Sequence, residues 1–186
     1  DGDMGDQTII GNTTPRYQYT FNGYISWKGL SLSVMFQGVG KRDWVAGGAY
    51  FWGFGPYAQV TVFKEHMDYW RPDNPGAYYP KPYINSAGGV APYQDKNIQR
   101  TDLYLQNAAY CRLKNLTLSY DLPNAWVHKA GLQKVQVFFS GENLLTFTKL
   151  KGMFDPEAIF SSNSYTSEGG KNYPMNKVIS LGLIVN

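Results

Sequence analysis

The sequence predicts an all-β protein of long antiparallel strands running up and down, and three observations carry that expectation. Five stretches alternate apolar and polar residues with a period of two, the pattern of a strand with one oily and one wet face. The composition leans the same way: among 186 residues, 15 Tyr, 10 Phe, 5 Trp and 20 Gly suit strands and loops better than a helical bundle. The links between the alternating stretches are by turns short and long, and an antiparallel meander puts alternate links at opposite ends of the sheet.

The elements follow in order. Asp1 to Pro15 carries Asp1, Asp3 and Asp6 near glycines but lacks the regular spacing and closing Glu of a calcium loop, so it reads as a solvated turn. From Arg16 to Trp27, Tyr17, Tyr19, Phe21, Gly23, Ile25 and Trp27 alternate with Arg16, Gln18, Thr20, Asn22, Tyr24 and Ser26. After Lys28-Gly29, Leu30, Leu32, Val34 and Phe36 alternate with Ser31, Ser33, Met35 and Gln37, the second arm of a hairpin. The run Tyr104 to Pro123 organises the middle, with Leu116, Leu118 and Tyr120 opposed to Asn115, Thr117 and Ser119. Val135, Val137 and Phe139 alternate with Gln136, Phe138 and Ser140, and Ile179, Leu181, Leu183 and Val185 form the last apolar face.

One phase does not hold along the organising run. Leu103, Leu105, Ala109, Cys111 and Leu113 are apolar on odd positions, whereas Leu116, Leu118 and Tyr120 are apolar on even ones. Two readings account for a slip near Lys114: a β-bulge inserts one residue, or the first half stands above a bilayer, where a lipid rule no longer applies. The second is preferred here, because the run is longer than a membrane crossing requires.

The links have content of their own. The long one from Gly40 to Leu103 holds Trp44, Tyr50, Phe51, Trp52, Phe54 and Tyr57, then Asp68-Tyr69-Trp70-Arg71-Pro72-Asp73-Asn74-Pro75. So many rings imply order, and Gln59 to Phe63 is expected to extend a strand. Within the short link Asp121 to Lys134, Pro123 and Gly131 bracket one or two helical turns. The link Thr146 to Lys177 ends in a polar Ser/Asn/Gly segment.

Several functions are excluded by what the sequence lacks. A net charge of +3 without a Lys/Arg block offers no basic stripe for nucleic acid. Cys111 alone cannot make an internal disulfide. The histidines His66 and His128 have no nucleophile motif beside them, and no HExxH, paired CxxC or phosphate-binding glycine loop occurs. Glu142 with Asp155 or Glu157 is more simply a wet-face residue and a loop turn than a glycosidase pair. No enzymatic activity, cofactor or metal is therefore expected. There is no apolar run of about 18 residues, and the start DGDMGD is unlike a secretion signal. A membrane barrel stays open, since its strands need only about 9 to 11 residues each.

Short turns on one side and long loops on the other are the asymmetry of outer-membrane barrels. Five segments in order, Ile9 to Gly40, YWRPDNPGAYYP at Tyr69 to Pro80, YCRLKNLTLSYDLP at Tyr110 to Pro123, Val135 to Glu157 and Tyr173 to Asn186, resemble the C-terminal portion of a SusC/RagA-type TonB-dependent outer-membrane transporter. That resemblance implies that residues 1–186 supply the last strands of a large transmembrane β-barrel of about 22 strands, with long extracellular loops and short periplasmic turns. It implies as partners a SusD-like surface lipoprotein, the remaining barrel and plug, TonB through an N-terminal part outside these residues, outer-membrane lipid, and an oligosaccharide or oligopeptide substrate. Such proteins finish on an aromatic residue, so one more residue is expected after Asn186.

Two function classes follow. In the first, these strands form transporter wall, with Gln18, Thr20, Asn22, Gln136, Ser140 and Glu142 inward, Tyr17, Tyr19, Trp27 and Tyr120 in the interfacial girdles, and Tyr50, Phe51, Trp52, Phe54, Trp70 and Arg71 touching substrate or lid. The plainer role for those rings is to pack on one another. The second class is a soluble β-sandwich binding carbohydrate through Trp44, Trp52 and Trp70, its oily faces covered by a second sheet.

Overall fold

The computed structural model describes residues 7–53, 62–82, 100–159 and 172–186. In chain order the strands are β1 (Arg16–Trp27), β2 (Leu30–Lys41), β3 (Asp43–Val45), β4 (Leu105–Asn107), β5 (Tyr110–Asp121), β6 (Val135–Thr148) and β7 (Val178–Val185), with short helices α1 (Gly48–Trp52) and α2 (Asn124–Val127). Two compact units share the chain. A sheet unit takes Thr14–Arg42, Asn107–Leu150 and Pro174–Asn186, and a loop unit takes Asp1–Thr13, Asp43–Gln106 and Lys151–Tyr173.

The sheet unit is one five-stranded sheet in the order β1-β2-β5-β6-β7, antiparallel throughout. All five strands expected from alternation are present as neighbours in a meander. Its tight connection is Lys28-Gly29, with φ of +47° and +85°. Two left-handed residues make the primed turn whose twist matches a hairpin, and glycine accepts that φ without steric cost. The third link is helical as its proline and glycine foretold. Pro123 precedes α2, a 3-10 turn His128–Ala130 follows, and Gly131 at φ +74° ends it, with the Gly131 N–H donating to the His128 carbonyl at 3.0 Å.

Register decides the faces. Ile25, Leu32, Leu118, Phe139 and Leu181 lie in one cross-strand row, and Trp27, Leu30, Tyr120, Val137 and Leu183 in the next. Partners in a row project to the same side, so one side of the sheet is a continuous apolar field. Among the described residues most of that field is uncovered: Ile25 is 63% exposed and Leu181 80%, while Leu113 is buried. Alternate rows are polar, with Tyr24, Ser33, Thr117, Ser140 and Ser180 in one of them. On this side hydroxyls bond across strands: Ser31 Oγ donates to Ser26 Oγ at 3.0 Å, and Arg112 Nε to Thr146 Oγ1 at 2.8 Å.

The slip near Lys114 is a β-bulge, which corrects the preference for the other reading. While β2 advances two residues from Val34 to Phe36, β5 advances three from Leu116 to Leu113, and β6 four from Gly141 to Leu145. Lys114 is the residue added in β5, and in β6 the added stretch holds Asn143 at φ +52°. The odd set Cys111 and Leu113 and the even set Leu116 and Leu118 therefore occupy rows of the same field, paired with Gly38, Phe36, Val34 and Leu32.

Two further corrections concern boundaries. Leu103 and Leu105 are not in the organising strand: Leu103 sits in a 3-10 turn, Asp102–Tyr104, and Leu105 begins β4, which pairs with β3. The break falls at Ala108 and Ala109, whose N–H groups turn to the Arg42 carbonyl and Asn107 Oδ1. Val62 and Phe63 form no strand and lead into a 3-10 turn, Lys64–Met67, while Gln59 to Thr61 lie outside the described residues.

Candidate functional site

The loop unit is built on rings. Phe51, 0% exposed, is its hub, with Trp52, Tyr79, Tyr104 and Phe154 at centroid distances of 4.8, 5.4, 6.1 and 6.1 Å. Trp44 meets Phe154 edge-on at 4.8 Å, and Trp52 meets Tyr104 at 4.7 Å. These T-shaped pairs contribute about 0.5 to 1.5 kcal/mol each beyond the area they bury. The helix α1 places Tyr50, Phe51 and Trp52 together, and Gly53, at φ +69°, ends it under the His66 ring.

His66 closes that end. Its Nδ1 accepts from the Phe63 N–H at 3.0 Å, so Nε2 carries the proton and donates to the Tyr50 and Phe51 carbonyls, each at 3.0 Å. Those carbonyls belong to the last turn of α1 and need such a partner.

The Asp68–Pro80 segment is a stapled loop. Asp68 accepts from Asn74 Nδ2 at 3.1 Å and from the Tyr78 N–H at 3.3 Å, which hold its carboxyl below the usual carboxylate range. The Trp70 N–H donates to the Tyr79 carbonyl and the Tyr79 N–H to the Asp68 carbonyl, at 2.9 and 3.0 Å. From the other end of the unit Lys151 reaches in, its ammonium 3.1 Å from the Tyr78 ring centroid, and burial lowers its pKa. Burial pushes Tyr78 up to about 12 and raises Tyr79 and Tyr104 as well, so their hydroxyls stay neutral.

The residues expected at a contact surface thus divide. Phe51 and Trp52 are buried against one another, and Trp44 is buried against Phe154. Tyr50 is half-buried, with its hydroxyl donating to the Met153 carbonyl at 3.2 Å. Phe54 lies outside the described residues. Trp70 stays 42% exposed, and Arg71 stacks on Tyr69 at 5.2 Å while its Nε donates to Asp73 at 3.2 Å. Trp70 borders a cleft of about 370 Å³ that Tyr78, Tyr79, Lys81, Leu103 and Tyr104 also line. Sequence reasoning missed Leu103, Tyr104 and Lys151 here. Nothing local marks a lysine some 70 residues downstream as the partner of Tyr78. Among the described residues no three His, Cys, Asp or Glu side chains gather as a metal site.

An antiparallel meander with an uncovered apolar face, short turns and an elaborated loop unit is the architecture of a β-barrel wall segment. The chain is similar over nearly its whole length to part of a SusC/RagA-type TonB-dependent transporter, consistent with the C-terminal portion read from the motifs. TonB-dependent receptor P3 of Formosa agariphila is 31% identical over 184 residues, 96% of this chain and 17% of that protein. TonB-dependent receptor P26 of the same organism is 27% identical over 187 residues, 97% of this chain and 18% of that protein. Among solved structures, the RagAB peptide transporter matches at 31% identity with a TM-score of 0.65, and the RagAB peptide importer in its open-open state at 30% and 0.64. Each match covers 95% of this chain and 18% of the other. The chain therefore spans about a sixth of the length of the relatives it matches. No family model matches it.

Proposed function

We propose that residues 1–186 are a C-terminal wall-and-loop segment of an outer-membrane importer of nutrient oligomers, glycans or peptides. Such an importer is energised through TonB and lidded by a SusD-like surface lipoprotein. The segment's own role is passive: its strands separate lipid from lumen, its loops meet substrate or lid, and it performs no enzymatic step. The observation that carries this reading is the continuous apolar field of the sheet, in register across five strands, with Ile25, Trp27, Val137, Leu181 and Leu183 all exposed among the described residues. In water such a field is unfavourable by roughly 25 cal/mol per Å², whereas hydrocarbon is its natural solvent. The outer edges of β1 and β7 carry no partner strand among the described residues, as expected of a wall continued by neighbours. Tyr17, Tyr19, Trp27 and Tyr120, all exposed, suit the interfacial girdles.

The soluble sandwich fares worse on the same observation, since a sandwich needs Ile25, Val137 and Leu181 covered. A pair of substitutions in the complete protein separates the readings. Leu183→Arg, on the apolar field, is expected to cost about 2 to 4 kcal/mol in a lipid-embedded barrel, and Gln18→Arg, on the wet side, close to nothing. Equal tolerance of the two in a bilayer refolding assay would contradict the assignment of faces.

A further inference from the structure

Charge in the sheet unit is one-sided. Its residues carry ten Lys or Arg side chains against two acidic ones, Asp121 and Glu142. Both acids lie on the turn side of the Lys114 bulge, where Glu142 pairs with Asn115 and Asp121 with Gln136. On the loop side of the bulge the strands bear Arg16, Lys41 and Arg112 and no Asp or Glu. Register places these three on the wet side, along with Gln18, Thr20 and Gln37. The wet face is therefore cationic toward its loop end and acidic toward its turns, and such a gradient draws an anion to the loop end.

Arg16 and Lys41 are the part of that end a solute can reach. They are direct cross-strand partners, and both are exposed. Like charges held opposite one another on a sheet repel. Neither side chain makes an ion pair or a hydrogen bond among the described residues. Asp43, the acidic residue nearest Lys41 in sequence, accepts instead from the Asn12 N–H at 2.9 Å. Arg112 is buried, with its Nε on Thr146 Oγ1, and adds charge to the wall without being open to contact. One oxyanion between the Arg16 guanidinium and the Lys41 ammonium would accept from both and offset their repulsion.

We propose that Arg16 and Lys41 form an anion subsite on the lumen wall, taking a carboxylate or sulfate of an acidic oligomer at the loop end. The assignment rests on the importer reading and narrows its substrate class by charge, a property that acidic peptides and acidic glycans share. Its test uses the complete importer that carries this sequence, purified in detergent, with calorimetric titration of two matched pairs: hexaglutamate and hexaglutamine, and hexagalacturonate and maltohexaose. At least one acidic probe is expected to bind more tightly than its neutral twin, and which of the two does so tells a peptide backbone from a glycan one. Arg16→Gln and Lys41→Gln are each expected to weaken that acidic probe about two- to fivefold, and the two together about tenfold, with any binding of the neutral twin unchanged. Arg16→Lys, which keeps the charge, is expected to retain most of the affinity. Raising salt from about 50 to about 300 mM is expected to shrink the double variant's deficit. Failure of both acidic probes to bind would overturn the assignment, as would a double variant that binds them like the unmodified protein. Equal loss of acidic and neutral twins would make the pair structural and overturn it too. So would loss of a co-purifying phosphorylated lipid with acidic-probe affinity intact, which would make the pair a headgroup site. Uptake in cells separates the two levels. If deletion of the importer abolishes uptake of an acidic probe that the double variant still binds and takes up normally, the subsite assignment alone fails. If deletion leaves uptake of all four probes intact, the importer reading fails and this one with it.

Discussion

The sheet unit and the loop unit use the same kinds of side chain to opposite ends. In the sheet, Ile25, Phe21, Leu181 and Leu183 stand exposed, ordered by register and in contact mainly with strand neighbours. In the loop unit Trp44, Phe51 and Trp52 are buried among other rings and ordered by packing. Both sets are apolar, so hydrophobicity alone does not say what a residue is for. A ring that hides from water suits a unit that stands in water, and a field of aliphatic side chains left exposed suits the lipid-facing role proposed above.

Phe51→Ala should break the loop side of this comparison most severely. Removing the hub ring is expected to cost about 3 to 5 kcal/mol, seen as faster amide exchange over residues 43–52 with β1 and β2 unaffected. Equal loosening of both units would show that they do not hold their structure separately.

Glycine substitutions sharpen the contrast at a smaller scale. A Cβ on Gly38 would strike the Tyr110 carbonyl oxygen and the Tyr19 phenol, backbone and ring packed across the strand. Gly38→Ala is therefore expected to cost about 1 to 3 kcal/mol. Around Gly76, in the loop unit, a Cβ meets nothing within 4 Å, and Gly76→Ala is expected to change stability by less than about 0.5 kcal/mol. Denaturation midpoints of the two variants check the difference, and a larger effect at Gly76 would reverse it.

The mildest probe is alkaline pH. Burial raises the folded-state pKa of Tyr78 to about 12 and raises Tyr104, above an unfolded value of about 10. The protonated form is thus favoured by folding: its stabilisation is complete below about pH 10 and is lost as pH climbs from there through about 12. The loop unit should loosen over that window, with tyrosinate absorbance and loop-unit amide exchange rising together. Tyrosinate appearing at about pH 10 without any loosening would mean that these rings are not buried in solution.

What was legible in the sequence follows from the physics of each unit. Strand faces repeat every two residues, so Leu30 to Phe36 or Ile179 to Val185 declare themselves locally. The slip at Lys114 was visible as a change of parity, but parity alone does not separate a bulge from a change of surroundings, and pairing with β2 and β6 was needed to decide. Ring packing has no period. The density of aromatics at Tyr50 to Trp52 announced an ordered loop, yet whether those rings face one another or a ligand depends on partners such as Phe154, some hundred residues on. The turn chemistry of Asp68 to Pro80, with Asp, Asn and two prolines in a short span, was the one local signal for the wall of the cleft.

The stepwise widening of the sheet at Lys114, two residues becoming three and then four, reaches beyond its own neighbourhood. Each added residue lengthens its strand by about 3.3 Å, and in a closed cylinder such offsets add to the stagger that sets tilt and girth. Excising Lys114 would do more than remove a charge. With it gone, β5 would advance in step with β2 from Met35 to Phe36, Leu113 and Cys111 would keep their places in the apolar field and Arg112 its place opposite, and what would be lost is one residue of offset from the cylinder's stagger.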